Sequence, residues 1–196
     1  MRKLFMAALL VACTAPFTFA QTAGDYNKYD FGVLYSHNRV DTGFDDPTQN
    51  FITEREGFNG VEAFAKGNVS RYVGLVGDYS FHRKSFGDTV GATAVDVDVD
   101  LHTLMGGAEF KDNSAEAKVK PFGRVLAGFQ HARADVNGFS GLDETDTGFS
   151  AAVGGGVDFR INERVDFRAF QFDWNPIHGD GGTSHNFRIG IGFIFR

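Results

Sequence analysis

Strict alternation of apolar and other residues over long stretches constrains this chain more than any other feature. Phe187, Ile189, Ile191, Phe193 and Phe195 occupy one face of the final segment, with Arg188, Gly190 and Gly192 on the other. Residues 149–162 repeat the pattern: Phe149, Ala151, Val153, Val157, Phe159 and Ile161 against Ser150, Gly154, Gly156, Asp158, Arg160 and Asn162. A third run sets Val95, Val97, Val99 and Leu101 against Asp96, Asp98, Asp100 and His102. A period of two belongs to strands, whose side chains point alternately to opposite faces, and no comparable 3.6-residue period competes with it. The chain is therefore all-β.

Alternation predicts eight strands, over 29–40, 60–69, 72–84, 95–111, 119–133, 148–162, 165–176 and 184–196. Three are less regular. Phe122 and Leu126 share a face with Arg124 and Gln130, Phe64 shares one with Glu62 and Lys66, and 165–176 loses phase between Arg168 and Phe172. That loss reads as a bulge near the loop end of its strand. Connectors alternate in length: 41–59, 85–94, 134–147 and 177–183 are long and polar, while the turns near Ser70 and at Asn162-Glu163-Arg164 are tight and 112–118 is intermediate. Aromatics gather towards both strand ends, with Tyr35, Tyr79, Phe81, Phe149, Trp174 and Phe187 near the loops and Tyr29, Phe110, Phe159, Phe167 and Phe195 near the turns. Two aromatic bands flanking apolar alternation suit a bilayer with two interfaces.

The first twenty residues stand apart. Arg2 and Lys3 precede an apolar core over 4–11, and Thr18-Phe19-Ala20 forms a small-x-small site before Gln21. Residues 1–20 read as a secretory signal peptide and 21–196 as the barrel domain. A lipidated Cys13 behind Leu10-Val11-Ala12 would leave a very short apolar core, so cleavage after Ala20 is the better reading. It removes Cys13, the one cysteine, and leaves 17 Lys+Arg against 25 Asp+Glu, a net charge of −8. Such an acidic, disulfide-free domain must take its stability from a core or a closed sheet, and nucleic acid is excluded as a partner by sign. Beyond the leader nothing approaches the ~20 apolar residues of a spanning helix. A barrel escapes that test, because half of each strand faces its lumen.

Strand count, connector alternation and the amphipathic aromatic last strand together resemble the small eight-stranded outer-membrane barrels typified by the OmpA transmembrane domain and OmpX. The resemblance covers 21–196 and implies an antiparallel up-and-down transmembrane β-barrel in the cell outer membrane. It implies as partners outer-membrane lipid and lipopolysaccharide, and the barrel-assembly machinery, which reads a terminal aromatic; here Phe195 is followed by Arg196. It implies no peptidoglycan-binding domain, and it leaves any extracellular partner unspecified.

An eight-stranded barrel has room inside only for side chains. Glu62, Lys66, Asp78, Arg124, Asp158, Arg160, Arg168 and Arg188 are expected to point inward and fill it. A polar ladder between the third and fourth strands is expected to pair Lys84 with Asp96, His82 with Asp98 and Asp78 with His102, all in the lumen. Arg196 is expected at the bilayer interface, where its charge reaches water. Lysine at Gly190, on the lumenal face, is expected to be better tolerated than lysine at Ile191.

No catalytic, cofactor-binding or metal site is assigned. Asp96-Val97-Asp98-Val99-Asp100 opens like a calcium loop but places Leu101 where that loop needs glycine. Gly154-Gly155-Gly156 has no Lys-Ser/Thr behind it to make a phosphate cradle, so it reads as space for large neighbours. His178, Asp180 and His185 could meet a metal in the last loop, against the simpler reading of solvated loop residues. Ser80 and His82 share a face, as a lipid-hydrolysing barrel would want, but Asp78 and Lys84 share it too and make a lumenal polar cluster simpler. The acidic loop residues Asp41, Asp45, Asp46, Asp143, Glu144 and Asp146 suit a solvated surface, cation bridges to lipopolysaccharide phosphates, or contact with a basic partner. These readings favour a non-enzymatic outer-membrane protein, structural or interaction-based, with a filled or very narrow lumen. Its rivals are a soluble periplasmic lipocalin-like barrel and a membrane-embedded lipid A-modifying enzyme.

Overall fold

A computed structural model of the chain describes residues 26–41, 55–90, 93–114, 116–136, 144–179 and 182–196. The leader 1–20, most of the first loop with Asp45 and Asp46, and Asp143 and Asp180 lie outside the described residues. Eight strands form, β1 (Tyr29–Asp41), β2 (Arg55–Asn68), β3 (Val73–Val90), β4 (Thr93–Lys111), β5 (Val119–Val136), β6 (Glu144–Arg160), β7 (Val165–Gly179) and β8 (Gly182–Phe195). Each pairs antiparallel with its neighbours in order, and β8 closes on β1 with Phe31 opposite Phe195, Val33 opposite Phe193 and Tyr35 opposite Ile191. Closure is what a bilayer demands, because an open edge in hydrocarbon strands unpaired N–H and C=O groups at several kcal/mol each.

Side chains sort by face. Tyr35, Val61, Leu104, Val125, Phe129 and Phe193 stand exposed on the outside, and charged residues are buried inside. A lipocalin would need the reverse. Among the described residues no helix is long and apolar enough to cross a membrane, and the strands, at 13 to 19 residues, are longer than the roughly 9–11 needed to span tilted.

The two ends differ. At the turn end, Asn162 Oδ1 accepts from the amides of Arg164 and Val165 at 2.8 and 2.9 Å, and Ser70 Oγ accepts from Val73 N at 3.1 Å. These side-chain acceptors mimic backbone and fix tight turns. Arg71 grips Asp112 through two 3.0 Å hydrogen bonds, which hold the Asp112 carboxyl below the usual carboxylate range. At the loop end the strands run further than the polar composition predicts. β3 reaches Val90 and β4 resumes at Thr93, while β7 reaches Gly179 and β8 resumes at Gly182. The stretches 85–94 and 177–183 are therefore mostly strand, and the expected long–short alternation of connectors fails at both.

Two further expectations are corrected. The β3–β4 register places Arg83 opposite Asp100, Ser85 opposite Asp98 and Phe81 opposite His102. Relative to the expected pairing of Lys84 with Asp96, this is an odd shift, so the aspartates and His102 face outward. Polarity misleads there because the strands have left the bilayer, and their outer face meets water. Arg196 is also placed differently: it folds back beneath the barrel with only 5 % of its side chain exposed and pairs with Asp166. The bulge in β7 is present, at Arg168–Gln171, nearer the turn than the loop.

Candidate functional site

The bulge sets which β7 residues enter the lumen. Asp166 and Arg168 point inward before it, and Gln171, Asp173 and Asn175 point inward after it. The extra residue switches parity, so that Asp173 comes level with Gly154 of β6, which itself faces Arg124 of β5. Gly154 leaves the path between them clear: a Cβ there would lie 2.1 Å from the Phe172 carbonyl oxygen and 2.3 Å from Asp173 Oδ1. Arg124 crosses this gap and donates from Nε to Asp173 Oδ1 at 2.8 Å. The triple-glycine run thus makes space for a side chain to reach across a strand. Gly154→Ala should force β6 from β7 and cost about 1–3 kcal/mol as an overpacked site, read as a lower melting temperature of the folded band on unheated gels.

Arg124 is the hub. Its Nη1 donates to Glu62 Oε1 at 3.0 Å and to Asp78 Oδ2 at 3.3 Å. Arg188 lies 3.4 Å from Glu62, 3.0 Å from Asp78 and 3.2 Å from Asp173, and also donates to Ser80 Oγ at 3.1 Å. Gln171 donates to both Glu62 oxygens. Nearer the turns a second cluster follows: Lys66 bridges Asp30 and Glu109, each at 2.8 Å, Lys111 lies 2.8 Å from Asp158, and Arg168 meets Glu109 at 3.0 Å and Asp158 at 2.8 Å. Lys120 and Arg196 share Asp166 at the mouth. Seven acidic and seven basic side chains therefore neutralise one another within the two clusters. Phe122 and Phe64 stack on the Arg168 guanidinium at 3.8 and 4.9 Å, and Leu34, Val76, Met105, Leu126 and Ile194 fill the space between charges. Of the residues expected inside, only Arg160 stays outside these clusters; it is half-buried at the turn end and donates to the Asn162 carbonyl.

The loop half of the lumen is polar but mostly uncharged. Thr103 donates to Gln130 at 3.1 Å, Asn175 donates to Ser150 at 2.9 Å, and His82 Nε2 lies 2.9 Å from Ser36 Oγ. The serine on His82 is Ser36, not Ser80, whose hydroxyl meets Arg188 instead. Both residues of the pair are fully buried, out of reach of a lipid substrate on the outer face. His178 donates to or accepts from Thr183 at 2.8 Å, and His185 stacks on Trp174 at 5.7 Å; Asp180 lies outside the described residues. Among the described residues no group of three His, Cys, Asp or Glu is placed to hold a metal.

Above the bilayer, four strands continue together. The β2–β3 ladder ends at Asn59 opposite Arg83, whereas β3 stays paired with β4 as far as Val90 opposite Thr93. The β4–β5 and β5–β6 ladders extend to Val97 opposite Val136 and Ala134 opposite Glu144, and β7 joins β6 only from His178 opposite Phe149. Lys84–Glu56 and the edge-on Phe58–Phe86 pair, with centroids 6.2 Å apart, bridge the opening between β2 and β3. The outer face of this sheet carries Arg83 on Asp100 at 2.5 Å and Arg133 on Asp135 at 2.8 Å.

Sequence and structure comparisons agree with this geometry. Residues 5–195 match the model of the outer membrane protein beta-barrel domain. Neisserial surface protein A is similar in structure with a TM-score of 0.64 and 13% identity, over 88% of this chain and 99% of that one. Ail, the attachment invasion locus protein of Yersinia pestis, crystallised with the heparin analogue sucrose octasulfate, gives a TM-score of 0.52 and 17% identity, over 86% of this chain and 97% of that one. At these identities the likeness shows a shared fold. No curated protein matches the chain in sequence.

Proposed function

The chain belongs to the outer-membrane protein beta-barrel domain family and resides in the outer membrane, and we propose that it acts there without enzymatic chemistry, as a docking protein whose loop end faces outward. The observation that carries this reading is the four-stranded β3–β6 extension. The seven residues Lys84 to Val90 of β3 continue past the last β2 rung, at about 3.3 Å each, which lifts a sheet of paired strands clear of the bilayer. Strand lengths beyond what spanning requires serve contact rather than anchorage. The closed, charge-neutral lumen favours a structural and interaction role over transport. The outward Arg83 and Arg133, each beside an aspartate, suit contact with lipopolysaccharide phosphates directly or through divalent cations. The aromatic β8 is suited to recognition by the barrel-assembly machinery, and residues 1–20 to removal on export, so the mature protein should begin at Gln21 by N-terminal sequencing.

The function is tested by shortening the β3–β4 hairpin, replacing residues 86–97 with a two-residue Asn-Gly turn. The barrel below Arg83 and Asp100 should assemble normally and keep its heat-modifiable migration, while adhesion of expressing cells to a second cell layer falls. An epitope placed between Val90 and Thr93 should be labelled on intact cells, and one at Glu163 should not. The opposite labelling would invert the barrel and remove the docking role.

A further inference from the structure

Phe58, which is buried opposite Asn38 and packs edge-on against Phe86, lies beside a ring of inward polar side chains on the loop side of the charge clusters. Asn38 of β1 stands directly opposite Arg188 of β8, and both point inward. Arg188 Nη1 reaches across to Ser80 Oγ at 3.1 Å. His82, two residues further along the same face of β3, has Nε2 2.9 Å from Ser36 Oγ, and Ser36 is two residues from Asn38 on β1. Each member is at most 1 % exposed. Two inward glycines lie among them and contribute no side chain: Gly60, between Ser36 and His82, and Gly190, beside Ser36.

Three polar atoms of this ring have no partner: Asn38 Oδ1, His82 Nδ1 and Arg188 Nη2. Buried polar atoms without partners are rare, because each forfeits its solvation with nothing in exchange. Their chemistry is complementary to one guest. Arg188 Nη2 can only donate, Asn38 Oδ1 can only accept, and the imidazole nitrogen can donate when it carries the ring proton. An anion is disfavoured, because Arg188 is already shared among Asp78, Glu62 and Asp173 with only Arg124 to help balance them. A cation is disfavoured by the guanidinium itself.

We infer that this ring is a binding site for a single neutral hydrogen-bonding guest, an internal water. It accepts from Arg188 Nη2 and His82 Nδ1–H and donates to Asn38 Oδ1. Three hydrogen bonds are the usual complement of a buried water. Occupancy fixes the His82 tautomer: Nδ1 carries the proton and Nε2 accepts from the Ser36 hydroxyl. His82 and Ser36 are then held as parts of a hydrated lumenal joint that ties β1, β3 and β8 together.

The test uses the ¹⁵N-labelled full barrel refolded in lipid nanodiscs, with the His82 ring signals assigned by their loss in His82→Gln. The expected spectrum shows a protonated Nδ1, a bare Nε2, and a cross-peak from the Nδ1 proton to water. Asn38→Leu, similar in shape but without the acceptor, should lose that cross-peak. A proton on Nε2 with Nδ1 bare would overturn the site in the unaltered protein, whether or not the variant folds. So would absence of the water cross-peak, its survival unchanged in Asn38→Leu, or displacement of the Nδ1 signal by added bromide, which would mean that an anion is held.

Discussion

Replacing Arg124 with leucine should destabilise the folded barrel by about 3–5 kcal/mol, the usual penalty for removing one partner from a buried ion cluster. The reason lies in what remains. Glu62, Asp78 and Asp173 would face one another with Arg188 as the only guanidinium left to them among the described residues, and all of them are buried. Leucine supplies apolar volume but none of the hydrogen bonds that Arg124 distributes from Nε and Nη1 to three carboxylates. The measurement is urea unfolding in lipid vesicles, followed by the shift between folded and unfolded bands on unheated gels. Adding Glu62→Gln to Arg124→Leu should restore part of the loss, because it removes a stranded charge while keeping an acceptor for Gln171. Coupled residues in one network show interaction energies of about 0.5–3 kcal/mol in such a cycle. A loss below 1 kcal/mol for the single variant, with no coupling in the double, would mean that water screens the lumen and the cluster is not dry.

Alternation read along the chain reveals the strands because the bilayer enforces it: a lipid-facing position must be apolar wherever the strand is in hydrocarbon. Phe193, Ile191 and Val153 are legible for that reason. The same rule fails where hydrocarbon ends. Asp96, Asp98 and Asp100 alternate with valines as cleanly as any spanning residues, yet their polar face is the outer one, since water lies on both sides of the sheet at that height. The lumenal partners were legible as a set, but not as pairs. Which carboxylate Arg124 meets depends on the β7 bulge, which brings Asp173 level with Gly154. A phase break near Arg168 was visible, but its position within the strand was not. Gly154 gave a clear signal of space without saying for which side chain. The place of Arg196 is not legible in the sequence, because a terminal charge beside a membrane looks free to reach water and nothing local announces that Asp166 lies within its reach.

Lysine in place of Ile191 should cost about 2–4 kcal/mol, the depth-dependent penalty for a cation on the lipid face at the midplane. Ile191 is the central member of the β8 ladder, with Phe187 and Ile189 towards the loops and Phe193 and Phe195 towards the turns, and it is 44 % exposed. It also faces Tyr35 across the seam that closes the barrel. A charge drawn towards either interface therefore pulls on the one pairing that no hairpin holds in place. Lysine at Gly190 is a poor control, contrary to what its lumenal position suggests. A Cβ there would already lie 3.0 Å from Leu34 Cδ2, so crowding would mask any electrostatic tolerance. His185→Lys is the better comparison: it lies on the same strand face, exposed and beyond the aromatic band at the loop end. Near the interface the same cation should cost only about 0–1 kcal/mol. Refolding yield into vesicles and unfolding by urea should separate the two variants clearly. Equal losses at positions 185 and 191 would mean that depth does not govern the penalty, and that β8 does not cross the bilayer with Ile191 at its centre.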